Sequence, residues 1–179
     1  MLNYLFRIFL AFNSTSLLLV VYWIKSGTTL PFFSPCFHVP NYVSYWIYIL
    51  AMLFLTLLSL LCSKLLGKGD IVQGDIESIE YANDAFLPSY LGYFFVALDV
   101  PNVETLYFVY PIIFVFTFLS QTLYFNPLFL VFGYHFYNLT TVNKVRVFMI
   151  TKKKFKKPNT VSFESLKKIN DFTYIDNEK

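Results

Sequence analysis

Long uncharged stretches dominate the first two thirds of the chain and predict membrane-spanning helices. Residues 8–24 carry no charge between Arg7 and Lys25, and residues 42–63 form a second stretch rich in leucine. At a helical rise of about 1.5 Å per residue, each stretch can cross most of a hydrocarbon core of roughly 30 Å. Residues 106–125 form a further clear span. Because no small-residue cleavage pattern follows the first stretch, we expect an uncleaved span there and not a signal peptide.

The stretch 85–98 is shorter and has two interpretations. Its fourteen uncharged residues lie between Asp84 and Asp99 and would make a helix of roughly 21 Å. Either it crosses the membrane and a tight turn at 100–104 returns the chain, or it dips in and returns or lies along the surface. Basic segments stay in the cytoplasm, and only a crossing keeps the lysine-rich tail there. We therefore expect four spans with both termini cytoplasmic.

The acidic segment between the second and third stretches predicts a short amphipathic helix on the cytoplasmic side. Val72, Ile76 and Ile79 recur there at helical spacing. The carboxylates that form the candidate acidic cytoplasmic segment are those of Asp75, Glu77, Glu80 and Asp84. We expect Asn83 or Asp84 to cap the helix that follows.

The chain after residue 125 predicts a different kind of structure. Residues 135–141 and 145–151 are rich in β-branched and aromatic side chains and flank a turn at 142–144, a pattern typical of a β-hairpin. We therefore divide the chain into a transmembrane domain at 1–125 and a cytoplasmic hairpin with a basic tail at 126–179. The expected fold class is an all-α membrane protein with four transmembrane helices, a small cytoplasmic β-hairpin and a C-terminal tail.

A lysine run beyond the hairpin is the strongest charge feature and a candidate site for a partner or for lipid. Its members are Lys152, Lys153, Lys154, Lys156 and Lys157. Near an anionic leaflet each lysine contributes about 1 kcal/mol. Pairing with the acidic segment or a partner protein is the second interpretation. A basic run with a single phenylalanine is thin support for the third, direct nucleic-acid binding, which we do not expect.

Three apolar residues beyond the run predict a docking helix. Phe163, Leu166 and Ile169 recur at intervals of three, which is typical of a short amphipathic helix exposed for a soluble partner.

Composition agrees with a small polytopic membrane protein. Hydrophobic residues make up 56% of the chain and charged residues only 14%, which disfavours an ordinary soluble domain. Trp23 and Trp46 flank the first loop as an aromatic belt would at one interface. The two cysteines, Cys36 and Cys62, are too few for a disulfide framework.

Catalytic and metal-binding motifs do not occur in the sequence. It contains no H-E-x-x-H, G-x-S-x-G, P-loop or C-x-x-C pattern. We therefore expect no enzyme activity, no catalytic residue, no metal site and no cofactor. Cys36 and His38 alone are a weak ligand set. The polar patch at 13–16 inside the first span is typical of helix packing, and an ion or substrate path is the alternative.

Two blocks of the chain resemble the KwaA family, the membrane subunit of the bacterial Kiwa anti-phage defence system. They are ANDAFLPSYLGYFFVAL at 82–98 and YFNP at 124–127, the latter followed by FGY at 132–134 and FY at 136–137. The likeness covers about residues 70–155. It implies a homo-oligomer of the inner membrane that detects infection at the envelope and works with a cytoplasmic, DNA-associating partner, KwaB. It implies no catalytic residues for this subunit.

Three functional hypotheses follow. The first is a multi-pass inner-membrane sensor and scaffold that recruits or regulates a KwaB-like protein and contacts anionic membrane lipids. The second is a pore-forming effector or ion channel, motivated by Asn13, Ser16 and Gln121 within spans and by Asp84 and Asp99 at their edges. A third and weaker hypothesis is a lipid-modifying enzyme that uses Asp84.

Overall fold

Three long apolar helices carry the membrane character of the fold. The computed structural model describes residues 2–30, 40–69, 76–85, 87–120, 126–155 and 166–176. The three helices are α1 at Leu2–Lys25, α2 at Asn41–Ser63 and, further along the chain, α4 at Val103–Ser120. Each is long and apolar enough to cross a membrane. They correspond to the stretches predicted at 8–24, 42–63 and 106–125.

The predicted third span is a shorter helix, α3, at Leu87–Asp99. Its 13 residues span only about 20 Å, so α3 does not reach the length of the other three. Its far end is tied to the end of α1, because the Lys25 ammonium donates to the Leu98 carbonyl and, at 2.8 Å, to the Val100 carbonyl. A cation at the C-terminal end of a helix satisfies carbonyls that have no partner within that helix.

A tight turn at 100–102 joins α3 to α4. The Asn102 side chain caps α4, since its Oδ1 accepts from the Thr105 backbone N–H at 2.9 Å. The helix α1 is the centre of the helical part and packs against α2, α3 and α4. Leu18, Tyr22 and Ala97 are among the buried residues of its contact with α3.

A five-stranded mixed sheet lies against one end of the helices. A short helix, α5 at Leu128–Val131, leads into it. The strands are β1 at Ile76–Tyr81, β2 at His135–Thr141, β3 at Arg146–Thr151, β4 at Leu166–Lys168 and β5 at Thr173–Asp176. Their order is β1-β2-β3-β5-β4; β3 and β5 are parallel and the other neighbours antiparallel. The predicted hairpin is confirmed as β2 and β3, with Lys144 of its turn in the left-handed region at φ 62°.

The amphipathic helix expected in the acidic segment is wrong for its described part, because residues 76–81 form β1. The spacing of three between Ile76 and Ile79 has a strand explanation. The register with β2 shifts between Ile76 and Ser78, and a bulge adds one residue to the strand. Both isoleucines therefore pack against the same apolar cluster. Val72 and Asp75 lie outside the described residues.

The docking helix expected around Leu166 and Ile169 is also wrong. Leu166 belongs to β4 and Ile169 follows it directly, and both are buried, at 5% and 1% exposure. Residues three apart in an extended segment point to opposite faces. Accordingly, Leu166 packs in the cluster on the outer face of the sheet and Ile169 in the cluster against the helices. Phe163 lies outside the described residues.

The sheet draws its strands from both sides of the predicted boundary at residue 125. β1 comes before α3 and α4, whereas β2 to β5 come after them. The membrane character of the expected fold class agrees with the three long helices. Its all-α description, with only a hairpin added, is wrong because β1, β4 and β5 extend that hairpin into a sheet.

Candidate functional site

The helix ends and the sheet share one apolar core, which we call the junction core. It includes Phe6 and Leu10 of α1, Leu60 of α2, and sheet residues such as Phe136 and Phe148. The Phe136 and Phe148 rings stack at 5.7 Å between centroids with 17° between their planes. Close-packed cores transmit displacement instead of absorbing it. The helix ends and the sheet are therefore in direct contact through this core.

Asn83 ties the start of α3 to the sheet. Its Oδ1 accepts from the Phe136 backbone N–H at 2.7 Å, and its Nδ2 donates to Nδ1 of His135 at 3.1 Å and to the Tyr81 hydroxyl. The capping expected for Asn83 or Asp84 stays a prediction, because Phe86, directly before α3, lies outside the described residues. Asp84 is exposed, and its backbone carbonyl accepts from the Leu87 N–H at 3.0 Å.

The pKa of His135 is lowered at this contact. Burial lowers the pKa of His135, and the nearby Lys154 ammonium lowers this pKa further. Because Nδ1 accepts from Asn83, the proton of the neutral ring sits on Nε2. Tyr81, 61% exposed, lies beside it with 6.2 Å between ring centroids.

The lysine run begins at the same corner of the sheet. The Lys152 ammonium lies 5.0 Å from the centroid of the Tyr134 ring, a cation–π distance. Tyr134 belongs to the junction core. Burial raises the pKa of Tyr134, and the carboxylate of Asp176 raises it further. That carboxylate is fully buried and accepts from the Thr151 hydroxyl at 3.2 Å.

A second set of polar contacts lies among the helices. The Thr56 hydroxyl of α2 is 3.3 Å from both side-chain polar atoms of Asn13 in α1, and it accepts from Asn126 Nδ2 at 3.2 Å. All three residues are at most 1% exposed. The hydroxyls of Thr15 and Tyr110 lie 3.2 Å apart, which joins α1 to α4. The polar patch predicted at 13–16 thus faces helix partners, as the packing interpretation expects.

Those predicted site residues that the structure describes do not form one cluster. Lys152 and Lys154 are exposed and Lys153 is half-buried. Glu77 pairs at 2.5 Å with Lys144 of the hairpin turn, a cation outside the lysine run. Glu80 is exposed.

Several predicted residues lie outside the described part of the chain: Asp75, Lys156, Lys157, Phe163, Cys36, His38 and Gln121. Within the described ranges, no group of three or more His, Cys, Asp or Glu residues comes together as a metal site.

Sequence reasoning missed the residues that join distant segments. Asn126 was not predicted as a contact residue, yet it bonds to Thr56, 70 positions earlier. His135 was predicted only as the start of a hairpin arm, yet it accepts from Asn83, 52 positions earlier. No local pattern announces either contact.

One family model matches the chain. It is described as anti-phage protein KwaA and matches residues 6–175 of the 179. The comparisons with curated proteins and with solved structures found no match.

Proposed function

This chain belongs to the KwaA family of anti-phage proteins, and we propose that it acts in defence as a membrane-embedded sensor and scaffold. In this role the helices respond to infection at the envelope, and the sheet recruits or regulates a cytoplasmic, DNA-associating partner of the KwaB type. The observation that carries the proposal is the junction core, in which helix ends and sheet are packed as one body. A signal that displaces the helices would then change the surface that the sheet offers.

The membrane placement is part of the proposal: four crossings of the bacterial inner membrane, with both termini and the sheet in the cytoplasm. The link before α3 is bonded to β2 through Asn83, and the other end of α3 is bonded to Lys25, so α3 runs from the sheet to the far end of α1. Basic residues gather on the sheet side, which favours the cytoplasm for that side. A short helix can be matched by local thinning of the bilayer.

Reporter fusions test this placement. A fusion in the α3–α4 turn at Asn102 should report the periplasm, and one in the hairpin turn at Asn143 the cytoplasm. If Asn102 instead reports the cytoplasm and Asn143 the periplasm, α3 does not cross and the four-span proposal fails.

Self-association is a further part of the proposal. The outer face of α4 is apolar and exposed, with Tyr107 at 72% and Phe108 at 75% exposure. Lipid or a second copy could cover such a face in a membrane. Cross-linking in membranes, followed by mass measurement, tests for the homo-oligomer; a chain that remains monomeric at native expression would contradict it.

The open edge of β1 is the surface that we propose for the soluble partner. β1 is the edge strand of the sheet formed by the described residues. Since the Ala82 N–H donates to the Phe136 carbonyl, alternation along the ladder directs the backbone groups of Ile79 and Tyr81 away from β2. An extended segment can pair with such an edge.

The charge of β1 indicates which kind of chain would pair there. Glu77, Glu80 and Asp84 are exposed on or beside the strand. Two copies that paired through β1 would bring these carboxylates together, and like charges on paired strands are destabilising. A basic extended segment of another protein fits the edge better than a second copy does.

Proline at Tyr81 tests this surface. Tyr81→Pro removes an outward N–H, which edge strands tolerate, and Tyr81→Ala is the matched control that removes the same side chain. We expect co-purification of the soluble partner to fall strongly in Tyr81→Pro but not in Tyr81→Ala. Protection against phage, measured in a plaque assay, should fall in the same variant. Glu80→Lys, which reverses one exposed charge, should weaken capture as well. Full capture by both Tyr81→Pro and Glu80→Lys, at normal membrane levels, would exclude the β1 edge.

The pore hypothesis has weaker support. Asn13 and Ser16 are buried, and each has a hydrogen-bond partner within the chain. They therefore do not offer free polar groups to an ion path through one subunit.

A further inference from the structure

We propose that Lys152 and Lys154 bind the headgroup of an anionic phospholipid at one corner of the sheet, where β2 begins and β3 ends. This inference rests on the proposed cytoplasmic placement of the sheet. It assigns lipid binding to two lysines of the run and places them at a defined position on the sheet.

The corner adjoins the level at which the helices enter the membrane. Thr151, the last residue of β3, pairs with His135, the first residue of β2. The residue before His135, Tyr134, belongs to the junction core with the ends of α1 and α2. Asn83, bonded to the neighbouring Phe136, lies only four positions before α3 begins. The side chains at this corner are therefore within reach of the headgroup layer.

The groups at the corner suit a phosphate. Lys152 and Lys154 are exposed, so their ammonium groups are free to meet an anion from outside. Lys152 is positioned over the Tyr134 ring, which leaves less side-chain freedom to lose on binding. One carboxylate of this corner, that of Asp176, is fully buried and accepts from the Thr151 hydroxyl, so it is turned away from solvent.

Position favours lipid over nucleic acid as the source of that phosphate. Lys152 lies beside a ring that packs on the helix ends, and a duplex would need an open basic surface away from the bilayer. Tyr81, 61% exposed at the same corner, has the amphipathic character that suits the lipid–water interface.

The other end of the hairpin provides a matched control. Lys144 and Arg146 are exposed cations at that end, and the length of β3 separates them from the corner by about 20 Å. Lys144 is moreover paired with Glu77. A double substitution there removes the same charge from the chain as one at the corner.

The experiment is native mass spectrometry of the full-length chain in detergent, titrated with phosphatidylglycerol or phosphatidylcholine. The test variant is Lys152→Gln with Lys154→Gln, and the control is Lys144→Gln with Arg146→Gln. At about fivefold per lysine, we expect the test variant to weaken the apparent Kd for phosphatidylglycerol roughly 30-fold. The control should change it less than about threefold, because its cations lie beyond a Debye length. Lys152→Arg with Lys154→Arg should restore most of the binding.

Three results would overturn the proposal. The first is an equal loss in test and control variants, which would indicate general charge attraction. The second is equal binding of the two lipids by the unaltered chain. The third is unchanged lipid binding in the test variant with lost affinity for a short DNA duplex, which would assign the corner to nucleic acid. Because the titration involves neither partner nor phage, its failure is distinguishable from failure of β1 docking in the capture assay.

Discussion

Replacing Thr56 by valine removes the one hydroxyl that joins α1, α2 and the segment before α5. Valine keeps the shape of threonine but cannot hydrogen-bond. In the substituted chain, the amide of Asn13 loses a partner at 3.3 Å and that of Asn126 loses one at 3.2 Å. Both asparagines are buried, so water does not replace the hydroxyl.

The expected loss of stability follows from the number and quality of these bonds. A buried polar group left without a partner costs about 1–3 kcal/mol, but hydrogen bonds between membrane helices average nearer ~0.6 kcal/mol. The two contacts lie at the long end of hydrogen-bond distances. Two such bonds therefore predict a loss of about 1–2 kcal/mol in the free energy of unfolding for Thr56→Val.

Ser59→Ala is the matched control on the same helix. Ser59 is also fully buried, but its hydroxyl donates at 2.7 Å to the Thr56 carbonyl within α2. Alanine removes an intrahelical bond and is a better helix former, so we expect a loss below about 0.5 kcal/mol. The measurement is equilibrium unfolding in mixed detergent micelles, followed by intrinsic fluorescence.

A double-mutant cycle completes the test. The stability loss of the double variant Thr56→Val with Asn126→Ala should be smaller than the sum of the two single losses, by at least about 0.5 kcal/mol. The reason is that both substitutions remove the same hydrogen bond. The reasoning is refuted if Thr56→Val is no more destabilising than Ser59→Ala, or if the cycle shows no coupling.

Two further predictions concern the sheet. Because burial and Lys154 hold the pKa of His135 below the ordinary histidine value of about 6.5, the unfolded chain binds the proton more readily. Stability therefore falls as pH drops through that value. His135→Gln should therefore lose less melting temperature than the unaltered chain between about pH 7.5 and pH 5.5; equal losses would contradict this. A Cβ at Gly69 would lie 2.7 Å from a ring carbon of Tyr174, so Gly69→Ala should cost about 1–3 kcal/mol. Gly67→Ala, which meets open space, is the control, and equal melting temperatures for the two variants would show that the ring yields.

Much of the fold was accessible from local pattern. Uncharged stretches predicted the three long helices, and two arms rich in β-branched residues around a turn predicted β2 and β3. These are properties of contiguous residues. The start of the predicted third span lies within two residues of the start of α3. The length of α3 alone does not establish whether it crosses a membrane, because the helix is shorter than a typical span.

Both helices that were wrongly predicted rested on apolar residues three positions apart, a spacing that also occurs in strands. Ile76 and Ile79 have the spacing of a helix face, but a bulge in β1 brings both to one face of a strand. Leu166 and Ile169 have the same spacing and lie on opposite faces of the sheet. Apolar periodicity in short segments does not distinguish these arrangements, because pairing with other strands decides them.

Local pattern was enough to predict long apolar helices, a hairpin beyond them and the lysine run that follows the hairpin. These features follow from hydrophobicity and charge, which each segment carries wherever it lies. The pairing of β1 with strands from the far end of the chain becomes visible only in the folded protein. The structure also shows that Asn83 bonds to β2 and that Lys152 lies over the Tyr134 ring. These contacts depend on how the helices bring distant segments together, and no single segment encodes them.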